Sequence, residues 1–312
     1  MKRLIALFCA AGLVACDVAG PGPVTAPRPE VRPTAAGTAA PQPSARSQEL
    51  RIYYQRLEND QKVRGLMRTD GGAVDAPFNE RQLTENFVQI ALFDEHPGSG
   101  IGFSRPKAAE LRRWADPVRI ALLPGASVTE DVRAQHRAQA NAYVTRLRQV
   151  SGHPIGLVAP GSENFSVYTV NEDERRALGP TLRQRVPGIG ASSIRTIIDM
   201  PRSVSCLVIA FSQFGRSTYT DAIAIIRAEH PPASWRSCLH EEVAQGLGLP
   251  NDSPRARPSI FNDDEEFALL TGHDELLLSI LYDRRLSPGM SAEIATPIVR
   301  QIAAEKLEPG QI

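Results

Sequence analysis

The stretch Cys238-Leu239-His240-Glu241-Glu242-Val243-Ala244-Gln245-Gly246-Leu247-Gly248-Leu249-Pro250-Asn251-Asp252 decides how the chain is read. Leu239, Val243 and Leu247 recur every fourth residue, which predicts a helix with one apolar stripe. Glu241 and Gln245 have the same spacing and share a helix face. Gly248 predicts the end of the helix, after which Asn251 can turn back towards that face. On residue types alone, Glu241 and Gln245 form the solvated side of an amphipathic helix. The sequence beyond the helix supports a second reading.

In that reading the stretch resembles the metzincin zinc-peptidase helix, whose pattern is H-E-x-x-H-x-L-G-L-x-H. Glu241 stands at the first zinc-binding His, Glu242 at the general-base Glu, Gln245 at the second His and Asn251 at the third ligand. A frame begun at His240 puts Ala244, which has no donor atom, at the second ligand and leaves Leu247-Gly248-Leu249 unexplained. Downstream, Ser259-Ile260-Phe261-Asn262 resembles the metzincin Met-turn, with Phe261 in the methionine position. Thr271 to Tyr282 is similar to the helix that follows that turn. The block from Trp235 to Met290 also resembles an uncharacterised family of bacterial lipoproteins, a domain of unknown function with this Glu-Glu-x-x-Gln pattern. The resemblance implies an α+β fold: a zincin-like mixed sheet, a long active-site-type helix and a small helical C-terminal part.

The chemistry of the substituted positions argues against zinc. Catalytic zinc sites keep imidazole or thiolate ligands, whereas Glu241, Gln245 and Asn251 offer one carboxylate and two amide oxygens. No zinc is expected as a cofactor. Calcium or magnesium accepts oxygen ligands, and Glu242 and Asp252 could add carboxylates, so another divalent cation stays open. The expected function is non-catalytic binding of a peptide or protein in the old substrate cleft. Two alternatives stay open, an active metal-dependent peptidase with Glu242 as general base and a purely structural lipoprotein, so whether the protein is an enzyme is undecided. There is no G-x-S-x-G elbow for a serine nucleophile. The histidines at 96, 136, 153, 230 and 273 are scattered singly, and Asp274 reads as a helix cap. The run Asp263 to Glu266 reads as a solvated acidic face. With 35 basic and 35 acidic residues the net charge is zero, which argues against nucleic acid as a partner.

The chain opens with Lys2-Arg3 and a short apolar run, the form of an export signal over residues 1–15. Leu13-Val14-Ala15-Cys16 resembles a bacterial lipobox, so Cys16 is expected to carry a lipid and anchor the protein in the bacterial envelope, facing the periplasm. Which membrane holds it is left open. Residues 17–48 hold seven Pro and seven Ala without apolar periodicity and read as a disordered tether. Residues 49–312 read as one domain. Once the export segment with Cys9 is removed and Cys16 is lipidated, Cys206 and Cys238 are left. In an oxidising compartment they are expected to form a disulfide between a strand and the helix packed on it.

The rest of the pattern predicts a helix from Glu49 to Met67 and leaves Leu83 to Phe93 undecided between helix and strand. Trp114 to Leu122 reads as a first core strand, Thr129 as the start of a long helix, and Val167 to Val170 as a second strand. Glu172 to Leu178 reads as a polar helix. Val204 to Phe211 reads as a buried strand, paired as a hairpin with Tyr219 to Arg227. Ser234 is the expected N-cap of the organising helix, and Met290 to Lys306 a closing helix.

Overall fold

Strands of this chain are apolar on both sides because both sides of the sheet are covered. In the computed structural model the described residues are 42–72, 74–94 and 107–308, all within one compact unit, Ala40–Ile312. The expected export signal, Cys16 and the part of the expected tether up to residue 41 lie outside the described residues. Among the described residues no helix is long and apolar enough to cross a membrane.

The chain begins with α1 (Ala45–Val63), capped by the Ser44 hydroxyl, which accepts from the Ser47 N–H. The segment left undecided above is α2 (Glu80–Ala91), started by an Asn79/Gln82 capping box. Short strands β1 (Phe93–Asp94), β2 (Lys107–Ala108) and β3 (Arg113–Trp114) follow. The expected first strand is thus divided, with β3 at Trp114 and β4 at Val118–Pro124, separated at Pro117, which has no N–H for a ladder. Next come α3 (Glu130–Ser151), β5 (Ile155–Leu157) and β6 (Phe165–Val170). Three short helices, α4 (Glu172–Arg176), α5 (Gly179–Arg185) and α6 (Ala191–Ile198), lead to β7 (Cys206–Ser212) and β8 (Thr218–Arg227). The helices α7 (Pro232–Gly246), α8 (Gly272–Leu281) and α9 (Ala292–Leu307) complete the fold.

The main sheet runs β5-β4-β6-β8-β7. All its pairings are parallel except β7 with β8, and β3 joins the first residues of β8 in parallel. This is a mixed α+β fold on a largely parallel sheet with C-terminal helices. Alternate residues divide between two cores, as strand geometry requires. Phe165, Val167, Ala222, Ala224 and Ile226 face a core shared with α2, α3, α7, α8 and α9. Tyr168, Val170, Ile223 and Ile225 face a second core closed by Leu182, Ile194 and Ile197.

Strand β7 departs from the sequence expectation. Six of its seven residues are apolar, yet each is only half buried, because the strand lies at the sheet edge. Cys206, Val208 and Ala210 pack on the first core and Leu207, Ile209 and Phe211 on the second. Both faces are therefore covered while one backbone edge is not. The apolar run reported the covered faces; no residue pattern reports an edge.

Candidate functional site

Helix α7 is built by its first and last residues as much as by its stripe. Leu239, Val243 and Leu247 are buried as the spacing predicted. The N-cap, however, is Pro231 and not Ser234. Proline at the first helical position needs no N–H partner, which moves the start three residues upstream of Ser234. Ser234 instead gives its N–H (3.0 Å) and hydroxyl (2.7 Å) to Glu58 Oε2 of α1. A carboxylate from a distant helix thus satisfies the open N-terminus of α7 and sits at its positive end. At the other end, a side chain on Gly246 would come within 2.5 Å of the Phe165 ring and 3.1 Å of Val208. Gly248 takes φ +129°, and a Cβ there would collide with the Arg112 carbonyl.

This seating aims one side of α7 at the start of β7. Cys206 and Cys238 are joined by a disulfide, with Cα atoms 5.9 Å apart. One turn on from Cys238, Glu242 is buried with 3 % exposure, and Glu241 beside it is half exposed. The Cys206 Sγ and carboxylate oxygens of Glu241 and Glu242 all lie within 4.8 Å of one another. Such a cluster could hold a divalent cation other than zinc. While the sulfur is bonded to Cys238, only the two carboxylates are strong ligands.

The other two expected positions point elsewhere. Asn251 is buried, donates through Nδ2 to the Gln89 carbonyl (2.8 Å) and through its N–H to the Ile90 carbonyl (3.2 Å). It ties the chain after α7 to the end of α2. Gln245 reaches Asp252 Oδ1 at 3.5 Å. Neither carries an imidazole or thiolate, and the Asn251 amide is committed to a backbone carbonyl. The residues at the three zincin ligand positions do not fit a zinc ion.

His240 is buried, its ring stacked 3.8 Å from that of Tyr143, and its Nδ1 accepts the Leu270 N–H at 3.1 Å. Burial, reinforced by Arg236 and Arg146, pulls its pKa down to about 3, so the ring is a neutral brace between α7 and the segment before α8. Phe261 is fully buried in the first core. The turn it belongs to is held by Asp274. That carboxylate accepts from the Ser259 hydroxyl, the Ile260 N–H (3.1 Å) and both the N–H and hydroxyl of Thr271. Asp274 is the capping-box residue of α8, as its position suggested. Its second task, fastening Ser259 and Ile260, was missed. The Thr271-x-x-Asp274 spacing signals the cap, but nothing in sequence announces the brace.

Two further features were not legible. His230 Nε2 lies 3.9 Å from Cys238 Sγ and 2.9 Å from the Ser205 carbonyl, and burial lowers its pKa to about 4. The expected acidic run is partly engaged, since Glu266 pairs with Arg68 (2.9 Å) and Arg257 (2.7 Å). A separate cavity of about 1020 Å³ lies at the ends of β4 and β6, lined by Leu122, Tyr168 and Trp235. His136 is stacked 3.5 Å from the Trp235 ring in its wall. None of Glu241, Glu242, Gln245 or Asn251 lines it.

The free edge of β7 completes the surroundings of the disulfide. The N–H groups of Ala222 and Ala228 donate towards β6, to Asn164 and Val170 carbonyls. Even-numbered residues of β8 therefore face β6, and odd-numbered ones face β7. Leu207, Ile209 and Phe211 stand opposite Ile225, Ile223 and Asp221 and form the bonded pairs. Cys206, Val208 and Ala210 consequently turn their backbone groups outward. Among the described residues no strand pairs with that side. Phe214, in the hairpin beyond the strand, is fully exposed.

No curated protein and no solved structure matches the chain. One family model does, described as a protein of unknown function (DUF2927), and it covers residues 80–301 with β4 to β8, α7 and the Asp274 brace inside it. The chain belongs to the DUF2927 family.

Proposed function

We propose that this protein is a lipid-anchored envelope protein whose zincin-like domain binds an extended peptide by strand addition on the outer edge of β7, without cleaving it. The open edge carries the reading. Seven residues, Cys206–Ser212, contain no charge and no proline, the devices that normally keep an edge from pairing. A peptide added there would bond the outward N–H and C=O groups of Cys206, Val208 and Ala210. Phe214 at the hairpin offers an apolar contact at one end, and Glu241 lies near the other. The zincin-like fold is supported by the order of elements: strand, helix, strands, antiparallel pair, then the long helix, with a buried turn at Phe261 behind it. The ligand chemistry at Glu241, Gln245 and Asn251 supports binding over hydrolysis. The paired carboxylates of Glu241 and Glu242 favour a second reading, a metal-dependent peptidase with Glu242 as general base. Turnover of any selected peptide in the presence of calcium, magnesium or manganese would establish it.

The test is selection of peptides from a displayed random library on the full-length protein, followed by affinity measurement. Val208→Pro and Ala210→Pro remove outward N–H groups and leave the β8 ladder intact. Both are expected to weaken binding at least tenfold; Ala210→Pro is the cleaner test, because Val208→Pro also loses side-chain packing on the first core. Selected peptides that bind these variants as tightly as the parent would overturn the edge-pairing reading, as would a library that yields no binder. The anchor is tested separately: Cys16→Ser should move the protein from the membrane to the soluble fraction, and unchanged fractionation would remove the lipid from the proposal.

A further inference from the structure

We infer that Cys206, Cys238, Glu241 and Glu242 form a redox-gated metal site, closed while the disulfide stands and selective for a thiophilic dication such as Zn²⁺ once it is reduced. This goes beyond peptide binding and does not rest on it. Three ligand-type atoms already lie within 4.8 Å, from Cys206, Glu241 and Glu242. The Cys238 sulfur is necessarily beside that of Cys206, being bonded to it. Four donors from two rigid elements, the start of β7 and the second and third turns of α7, therefore converge on one point. The set of two thiolates and two carboxylates has the number and softness of a zinc site, which the oxidised protein lacks.

The step balances simply. A dithiol reductant, or a thiol–disulfide oxidoreductase, gives two electrons and two protons to the Cys206–Cys238 bond and becomes a disulfide itself. A dication displaces one proton from each thiol to the solvent and accepts both sulfurs as thiolates beside the two carboxylates. His230 packs beside the site, its Nε2 3.9 Å from Cys238 Sγ and donating to the Ser205 carbonyl at 2.9 Å. The zincin frame has its ligand positions at Glu241, Gln245 and Asn251, where no zinc is expected; the cluster of Cys206, Glu241 and Glu242 lies one side further round the helix.

The experiment compares oxidised and phosphine-reduced full-length protein by equilibrium dialysis against Zn²⁺, and by absorption after adding Cd²⁺. The expected result is one bound metal per chain and a sulfur-to-cadmium charge-transfer band in the reduced protein, with neither in the oxidised one. The variant Cys206→Ser with Cys238→Ser should lose both signals, and Glu241→Gln with Glu242→Gln should weaken zinc by at least about tenfold while keeping the band. Reduced protein without stoichiometric metal overturns the inference. So does unchanged zinc affinity in the double glutamine variant, which would mean a bare dithiol. If reduction loosens the fold, near-ultraviolet circular dichroism gives a second readout: Zn²⁺ must restore the oxidised spectrum, and failure to do so also overturns the site. Peptide affinity is measured on oxidised protein, so the two proposals fail independently.

Discussion

Glu58 Oε2 of α1 accepts the N–H of Ser234 at 3.0 Å and so caps a helix 176 residues further along the chain. Because α1 precedes the segment matched by the family model, this bond joins an outlying helix to the centre of the family domain. Burial pushes the Glu58 carboxyl up, but Lys62 and both donors of Ser234 outweigh it and hold the pKa below the usual carboxylate range.

Glu58→Ala is therefore expected to cost about 1–2 kcal/mol, the range of a lost N-terminal cap. Chemical denaturation of the parent and variant measures it. The depressed pKa means that this stability is present above the unfolded carboxylate pKa and is lost as pH falls below it. A variant as stable as the parent at neutral pH would show that α1 is not fastened through this bond.

Glu172 gives a clearer pH signature. It is buried, and it pairs with Arg175 (2.6 Å) and Arg227 (2.8 Å), both buried. Burial opposes its ionisation, yet the two arginines and Arg176 bring its pKa down from 4.5 to about 2. Since the folded value is the lower one, its contribution is complete above about pH 4.5 and is lost between there and about pH 2. The parent should lose about 3 kcal/mol across that window from this group. Glu172→Gln should lose about 3–5 kcal/mol at neutral pH, because two buried guanidinium groups are left uncompensated, and its acid limb should be shallower. Parallel acid limbs in parent and variant would refute the assignment.

Asp274→Asn tests the brace under α7. Asparagine keeps one acceptor but presents N–H donors where Ser259, Ile260 and Thr271 already donate. The expected loss is about 2–4 kcal/mol, for a buried charged acceptor that serves several donors. Hydrogen exchange should quicken at the Ile260 and Thr271 amides specifically. Uniform exchange changes would instead indicate a general loss of stability.

Gly246→Ala probes the seat of α7 on the sheet. Alanine has the better helix propensity by about 1 kcal/mol, so an open site would be stabilised. The Phe165 ring and Val208 leave no room for the methyl group, and overpacking is expected to cost about 1–3 kcal/mol net. A raised melting temperature would show that the helix can lift off β7.

Periodicity along the chain determined much of this protein. The stripe Leu239, Val243 and Leu247, the Thr129 start of α3, the β7–β8 hairpin and the α8 cap at Asp274 all follow from contacts within a few residues, which spacing records directly. The disulfide was legible too, because setting aside the cysteines of the expected export signal and the expected lipid anchor left one pair. Other features were decided only by tertiary structure, each through a contact between distant segments. Glu58 reads as one more charge on a polar helix until α7 is placed at its end. Asn251 fits a ligand frame by spacing, but the end of α2 offers its amide a carbonyl. Val204 to Phe211 reads as a buried strand because the side chains of Cys206 to Phe211 are covered on both faces. Whether its backbone edge is also covered depends on strand order, which no side-chain pattern encodes.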